Sequence, residues 1–271
     1  MIQNNKNDLS NKIINKALEF GACLAGIANV SELKASPSHR LSDKIPEFLN
    51  TGTKQVDGGK NEKILWPDNA KSAVVIAVEH PLNAPDMDWW LQGFKGGTKG
   101  NGKLITVFSK LADWLEKEKN MPCIKLAYHV EHGGIFMKDA AVLGGLGCIG
   151  KNNLLVTPRF GARIRLRVMM LEENLPSTGI PDFDPCGDCK QYCRKACPQK
   201  TFDKNIYSAM EYGQNALPGR TGFYSRVKCK TQMEKNEKNG KDVDIKGSDK
   251  KRHAVKYCRI CELACPVGKS T

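Results

Sequence analysis

No run of apolar residues in this 271-residue chain approaches the ~18 that a bilayer-crossing helix needs, so the sequence predicts no membrane span. Aromatic residues make up only 7% and there are five histidines. Nucleotide-binding loops are missing too: no G-x-G-x-x-G follows a strand, and Gly150-Lys151 runs into Asn152 where a Walker loop would place Ser or Thr. The opening stretch from Met1 to Asp8 is mostly polar and does not read as a secretory signal. Acidic residues are scarce relative to basic ones, 29 against 42, for a net charge of +13. A surface of that sign suits nucleic acid, an acidic electron donor or an anionic cofactor.

Cysteine is what the chain has in excess. Eight of its eleven cysteines lie in the last third. One run is Cys186-x2-Cys189-x3-Cys193-x3-Cys197-Pro198; the other is Cys258-x2-Cys261-x3-Cys265-Pro266, with Cys229 between them. Thiolates are the ligands that iron–sulfur clusters select. In a bacterial-type run three cysteines serve one cluster, and the fourth, next to proline, serves the other. The spacing therefore predicts one [4Fe-4S] cluster on Cys186, Cys189, Cys193 and Cys265, and a second on Cys197, Cys229, Cys258 and Cys261. Zinc also favours C-x2-C pairs, but two zinc sites would not need the cysteine–proline endings. A disulfide framework belongs to small secreted domains. Three residues, rather than the usual two, separate Cys189 from Cys193, which makes Cys193 the ligand to check. Eight thiolates intended for metal suit a reducing compartment, hence cytoplasm. With both clusters loaded the net charge falls to about +9. Cys23 and Cys123 read as small buried apolar residues.

Periodicity predicts an amphipathic helix over Leu9–Phe20, ended by Gly21, then a short strand over Ala22–Ile27. Residues 35–68 read as irregular. Ser72–Val78 is a continuous apolar run typical of a strand buried on both faces. Gly93–Lys103 reads as a flexible loop, 104–119 as a helix, Ile124–Val130 as a strand and Asp139–Leu143 as a short helix. Strands follow at Leu154–Val156 and Ile164–Leu171. Strands alternating with helices argue for an α/β core. The expected organisation is a core over residues 1–176 and a cluster domain over residues 177–271. The latter carries a lysine-rich insertion at about 230–256, too polar to pack a core and so a solvated surface or a docking patch.

One segment makes the sequence recognisable: Gly145-Leu-Gly-Cys-Ile-Gly-Lys-Asn-Asn-Leu-Leu-Val-Thr-Pro-Arg-Phe-Gly161, followed by the cysteine runs. It resembles the epoxyqueuosine reductase and reductive dehalogenase superfamily, whose pattern joins a G-L-G-x-x-G-[KR]-[NH] loop, a P-x-[FY]-G turn and a two-cluster module. Ala17–Ile27 and Trp66–Ala77 extend the resemblance over most of the chain. The resemblance implies a nitroreductase-like core with a ferredoxin-like domain, α+β overall, holding base-off cobalamin beside one cluster while the other relays electrons inward. No histidine lies in the D-x-H-x-x-G arrangement of base-replaced cobalamin binders. By carry-over, Gly145, Leu146, Gly147, Cys148, Gly150, Lys151, Asn152, Phe160 and Gly161 would line the corrinoid, although glycines there could equally be turn residues. Cys148 stands where the family has a bulky residue. The family's catalytic acid falls on Glu131, with His129 and His132 near it, at the end of the Ile124–Val130 strand, where α/β folds place their sites.

The function expected is that of a cytoplasmic cobalamin-dependent reductase, an oxidoreductase fed by reduced ferredoxin or flavodoxin and acting on a small electrophile or a tRNA nucleoside. A reductive dehalogenase, a ferredoxin-like carrier serving a partner, and an RNA-binding module using the lysine stretch are the alternatives. The family's helical-repeat tail and twin-arginine leader do not occur in the sequence.

Overall fold

The computed structural model describes residues 2–48, 66–126, 128, 134–244 and 251–269. Its first elements are α1 (Ile2–Glu19), β1 (Leu24–Asn29), α2 (Val30–Lys34), α3 (Pro37–Leu41), β2 (Ser72–Glu79), β3 (Trp90–Leu91), α4 (Lys99–Lys119), β4 (Cys123–Lys125) and α5 (Met137–Leu143). They are followed by β5 (Cys148–Ile149), β6 (Leu155–Val156), β7 (Ile164–Leu171), α6 (Tyr192–Lys195), α7 (Ala209–Tyr212), α8 (Arg226–Lys238), β8 (Lys241–Asp244), β9 (Lys251–Val255) and α9 (Ile260–Leu263). No described helix is long and apolar enough to cross a membrane.

The central sheet runs β1-β2-β7-β4. Both of its faces are covered, which is why β2 reads as Ala-Val-Val-Ile-Ala-Val without alternation. Val74, Ile76 and Val78 pack with Met169 and Leu171 against α1 and α4, through Ile13, Leu104, Leu111 and Leu115. Ala73, Val75 and Ala77 pack with Val168 and Met170 against α2 and α5, through Leu33, Ala140 and Ala141. Burying each such valine or isoleucine stabilises the fold by roughly 1.5–3 kcal/mol. The expected mixed helix-and-sheet class is borne out. Strand direction differs from what the helix–strand alternation suggests: every pair in this sheet is antiparallel, with Val75 opposite Val168 and Ile27 opposite Val74. Two-sided burial, not parallel pairing, produced the apolar run.

Three further departures bear on the site. The glycine-rich stretch 93–103 is not all loop, because α4 begins at Lys99, capped by the Thr98 hydroxyl accepting from Asn101 N at 3.0 Å. The expected strand Ile124–Val130 is described only as Cys123–Lys125. Within the lysine-rich insertion, α8 is helical, and β8 and β9 form a hairpin whose second strand pairs with β3, Leu91 opposite Ala254. Ala254 and Val255 are buried there, so this stretch is partly built into the fold. The three-stranded sheet joins β3, which precedes the expected boundary near residue 176, to β8 and β9, which follow it.

Candidate functional site

The structure sorts the eight clustered cysteines into two groups of four. Cys193 lies on α6 and is buried, as are Cys186 and Cys265. The extra residue before it is absorbed at Gln191, which caps α6 in the left-handed conformation with φ 55°. Burial pushes the Cys193 thiol up to about 11, and the neighbouring thiols of Cys265, Cys186 and Cys189 add to the rise. Cys265 is raised by burial and then by Cys186 and Cys189. In the other group burial pushes Cys261 up to about 12, reinforced by Cys229, Cys258 and Cys197. Cys258, raised first by burial, also senses Cys229 and Cys197. Cys193 acts weakly on Cys261, and α6 packs on α9, so the two groups adjoin. Among the described residues no three His, Cys, Asp or Glu side chains converge tightly enough to hold a single metal ion.

The donor set fits iron–sulfur clusters. Buried and half-buried thiols such as Cys193, Cys265, Cys258 and Cys261, raised by burial and by their cysteine neighbours, are costly as free thiolates, and a cationic iron core would remove that cost by taking the charge. Donors reach the sulfurs as well: Thr201 N points at Cys197 Sγ at 3.4 Å, and the Tyr224 hydroxyl bonds Cys229, which with burial holds its own pKa well above the ordinary tyrosine range. Hydrogen bonds to ligand sulfur are one of the protein's controls on cluster potential.

The second group opens on a cavity of about 900 Å³, at the upper end of ligand-site volumes. Cys197, Cys229, Cys258 and Cys261 form one wall; Ile135–Lys138, Asn152–Leu155 and Ile164–Leu166 form others. Thr201 Oγ1 is buried without a partner at this cavity. Along one side runs an ion-pair network. Arg165 on β7 bridges Asp88 at 2.6 Å and Glu262 at 3.0 Å. Arg259 holds the same two carboxylates, and the Asp88 carboxylate lies 2.6 Å from Nδ1 of the buried His80. Burial alone would raise Asp88, but His80, Arg165 and Arg259 outweigh it and hold the carboxyl below its ordinary range. Arg259 and Glu262 follow Cys258 and Cys261 directly, so the network fixes the turn that carries these two cysteines to the core sheet.

The start of α5 is fixed as firmly. Asp139 is buried and accepts from Ser36 Oγ at 2.7 Å, Ser38 N at 2.9 Å and Ser38 Oγ at 2.8 Å, clipping α3 onto α5. His39 Nε2 accepts from Phe136 N at 3.2 Å, which leaves Nδ1 to donate to Ser36 Oγ, so the ring is neutral. Burial pushes its pKa down to about 4, against the pull of Asp139. Beside this clip, Lys138 Nζ donates to Asn153 O at 2.5 Å and Asn153 Oδ1 at 3.0 Å.

Of the nine residues expected around a corrinoid, Asn152 lines the cavity and the others do not. A Cβ at Gly150 would lie 3.5 Å from Cys186 Sγ, and one at Gly161 would lie 2.1 Å from Val267 O, two residues after Cys265. Cys148 is raised to about 11 by burial and then by Cys186. Gly145 meets Thr178 and Gly179, Gly147 meets Val156, and Leu146 and Phe160 are buried in the core. Lys151 Nζ donates to Gly187 O at 3.0 Å, while Asn152 Nδ2 approaches Cys261 O at 3.5 Å. The glycine loop thus backs onto the first cysteine group and touches both. Glu131, His129 and His132 lie outside the described residues; their described flanks Tyr128 and Ile135 both line the cavity. Sequence reasoning missed Lys138, Arg165, Asp88 and Glu262. The signal for Lys138 was a lone cation in the apolar stretch Ile135-Phe-Met-Lys-Asp-Ala-Ala-Val-Leu143.

No family model matches the chain. Among curated proteins it is 24% identical to an epoxyqueuosine reductase from Bacillus cereus over 259 residues, 90% of this chain and 62% of the relative. The chain therefore spans about three fifths of that relative's length. Among solved structures, an epoxyqueuosine reductase with an epoxyqueuosine-modified tRNA-Tyr stem loop matches with TM-score 0.61 and 18% identity, over 98% of this chain and 66% of that one. A catabolic reductive dehalogenase in complex with 3-bromo-4-hydroxybenzoic acid matches with TM-score 0.58 and 16% identity, over 95% of this chain and 31% of that one.

Proposed function

We propose, from its similarity to epoxyqueuosine reductases and reductive dehalogenases, that the chain is a cobalamin-dependent iron–sulfur reductase acting on the epoxide of a modified tRNA nucleoside. One observation carries this reading: the second cysteine group forms a wall of the large cavity, while the first lies behind it. Cys186, Cys189, Cys193 and Cys265 would hold one [4Fe-4S] cluster, which would supply a relay for electrons from reduced ferredoxin or flavodoxin in the cytoplasm. Cys197, Cys229, Cys258 and Cys261, which line the cavity, would hold the second, inner cluster. Base-off cobalamin, when bound there, supplies a low-valent nucleophilic metal centre. Asn152 and the apolar wall of Ile135, Leu154, Leu155, Ile164 and Leu166 bind it and exclude water. The glycine loop, with Gly145, Leu146, Gly147, Cys148, Gly150 and Lys151, and the turn at Phe160–Gly161 support that wall from behind. Glu131 holds the proton for the substrate.

The tRNA assignment rests on the basic charge and on the relative whose structure contains a tRNA stem loop. Arg226 and Gln232 bring α8, rich in lysine, to the cavity. Reduction of an epoxyqueuosine-modified stem loop under anaerobic conditions tests the reading. Wild-type turnover with loss in Glu131→Gln supports it. Turnover of a halophenol but not of the stem loop replaces the substrate with an organohalide. Turnover unchanged in Glu131→Gln removes the acid role.

A further inference from the structure

Reductive opening of an epoxide to an alkene takes two electrons and two protons and releases water. The carboxyl of Glu131 carries one proton. Resting on the reductase reading above, the cavity should hold a second donor, and its described lining contains a candidate.

Lys138 projects from the first turn of α5 into the cavity. Its Nζ donates to two oxygens of one residue, Asn153 O at 2.5 Å and Asn153 Oδ1 at 3.0 Å. Both are neutral acceptors, and an ammonium has three N–H bonds, so one remains for the cavity. No described carboxylate pairs with it. Its neighbour Asp139 is engaged by Ser36 and Ser38, and the carboxylates of Asp88 and Glu262 by Arg165 and Arg259. A lysine held by neutral oxygens in a confined site is biased toward releasing its proton, since burial disfavours the charged form. The direction agrees: burial pushes Lys138 down to about 8, with Asp139 opposing and Arg226 adding.

We propose that Lys138 is a second proton donor of the cavity. One Lys138 N–H bond breaks and an O–H bond forms on the oxygen leaving the substrate. Glu131 supplies the other proton, the two electrons arrive through the cysteine groups, and water departs. The amine then regains its proton from solvent. Asn153, held at φ 59° in the left-handed conformation, orients Nζ through both of its oxygens.

The test combines a direct titration with kinetics on the reconstituted chain. Competitive acetylation of the cluster-loaded protein, read by mass spectrometry across pH, reports the Lys138 amine itself. Its midpoint is expected near 8, against roughly 10.4 for surface lysines. Lys138→Met should load clusters and cobalamin as wild type does, yet reduce the epoxyqueuosine stem loop about 100-fold more slowly, the usual scale of acid catalysis. The basic limb of its kcat profile should vanish as well. Lys138→Arg, which keeps the charge but does not release the proton, should remain slow. A midpoint at the ordinary lysine value overturns the proposal without any turnover being needed. So does a Lys138→Arg variant with wild-type rate, because charge alone then suffices. Failure of wild type to retain cobalamin sinks the reductase reading instead, and the acetylation midpoint still reports on Lys138.

Discussion

The Arg165 guanidinium, on the last strand to join the core sheet, donates to the Glu262 carboxylate at 3.0 Å, one residue beyond Cys261. Through the same nitrogen it reaches Asp88 at 2.6 Å. These are partly buried charges, so removing one partner leaves the others in a low-dielectric setting without compensation. The Arg165 side chain ties the position of Glu262, and with it Cys261, to the sheet.

Arg165→Leu is therefore expected to destabilise the fold by about 3 kcal/mol, and to make the inner cluster more labile than the outer one. Urea unfolding and iron content after chelator challenge check both. Equal lability of the two clusters would contradict the positioning role.

The crossed ligand assignment makes a prediction that sequence order alone does not. Cys193→Ser and Cys265→Ser should impair one cluster, while Cys197→Ser and Cys229→Ser should impair the other, although Cys193 and Cys197 lie in one run. Iron per chain should drop by about half in each variant, and the two pairs should give different residual electron paramagnetic resonance signals. Matching signals for Cys193→Ser and Cys197→Ser would break the assignment.

Acid should loosen the clip between α3 and α5. His39 is held neutral, with its pKa lowered to about 4 by burial, whereas the unfolded chain titrates near ~6.5. Between those values the unfolded state binds the proton and the folded state does not, so stability falls as pH drops through that window, by at most about 3 kcal/mol. Chemical denaturation at pH 7 and pH 4.5 should show this loss, and His39→Gln should show less of it.

Close backbone approach separates two glycines. A Cβ on Gly26 would sit 1.8 Å from Gly144 O, where β1 meets the end of α5, while one on Gly187 meets nothing within 4 Å. Gly26→Ala should lower stability by about 1–3 kcal/mol, and Gly187→Ala should leave the melting temperature near wild type.

Much of this fold was legible, and the reasons are local. The ends of β7 could be read because Ile164–Leu171 is bounded by polar residues; Ser72–Val78 revealed a two-sided core. Other parts carried no readable signal. The helix α8 has no apolar face; it begins because Ser225 caps it, and Glu47 anchors that cap through Ser225 Oγ at 3.0 Å and Arg226 N at 2.7 Å. Gly100 reads as flexibility but is required by packing, since a Cβ there would lie 2.1 Å from the His80 ring. The cavity could not be read at all: its walls come from α5, β7, the Asn152–Leu155 turn and α8, segments far apart in sequence. Cysteine spacing, by contrast, is a short-range pattern, which is why the sequence alone could propose two sets of four thiols.

In the proposed enzyme a corrinoid occupies this cavity beside Cys197, Cys229, Cys258 and Cys261. Anaerobic cluster reconstitution, addition of cobalamin and gel filtration test it most directly. A base-off corrinoid spectrum is expected to elute with the iron-loaded protein at about one equivalent per chain, and Leu166→Trp, which narrows the cavity, is expected to abolish co-elution without loss of iron. Protein that keeps its iron while cobalamin elutes separately would contradict it.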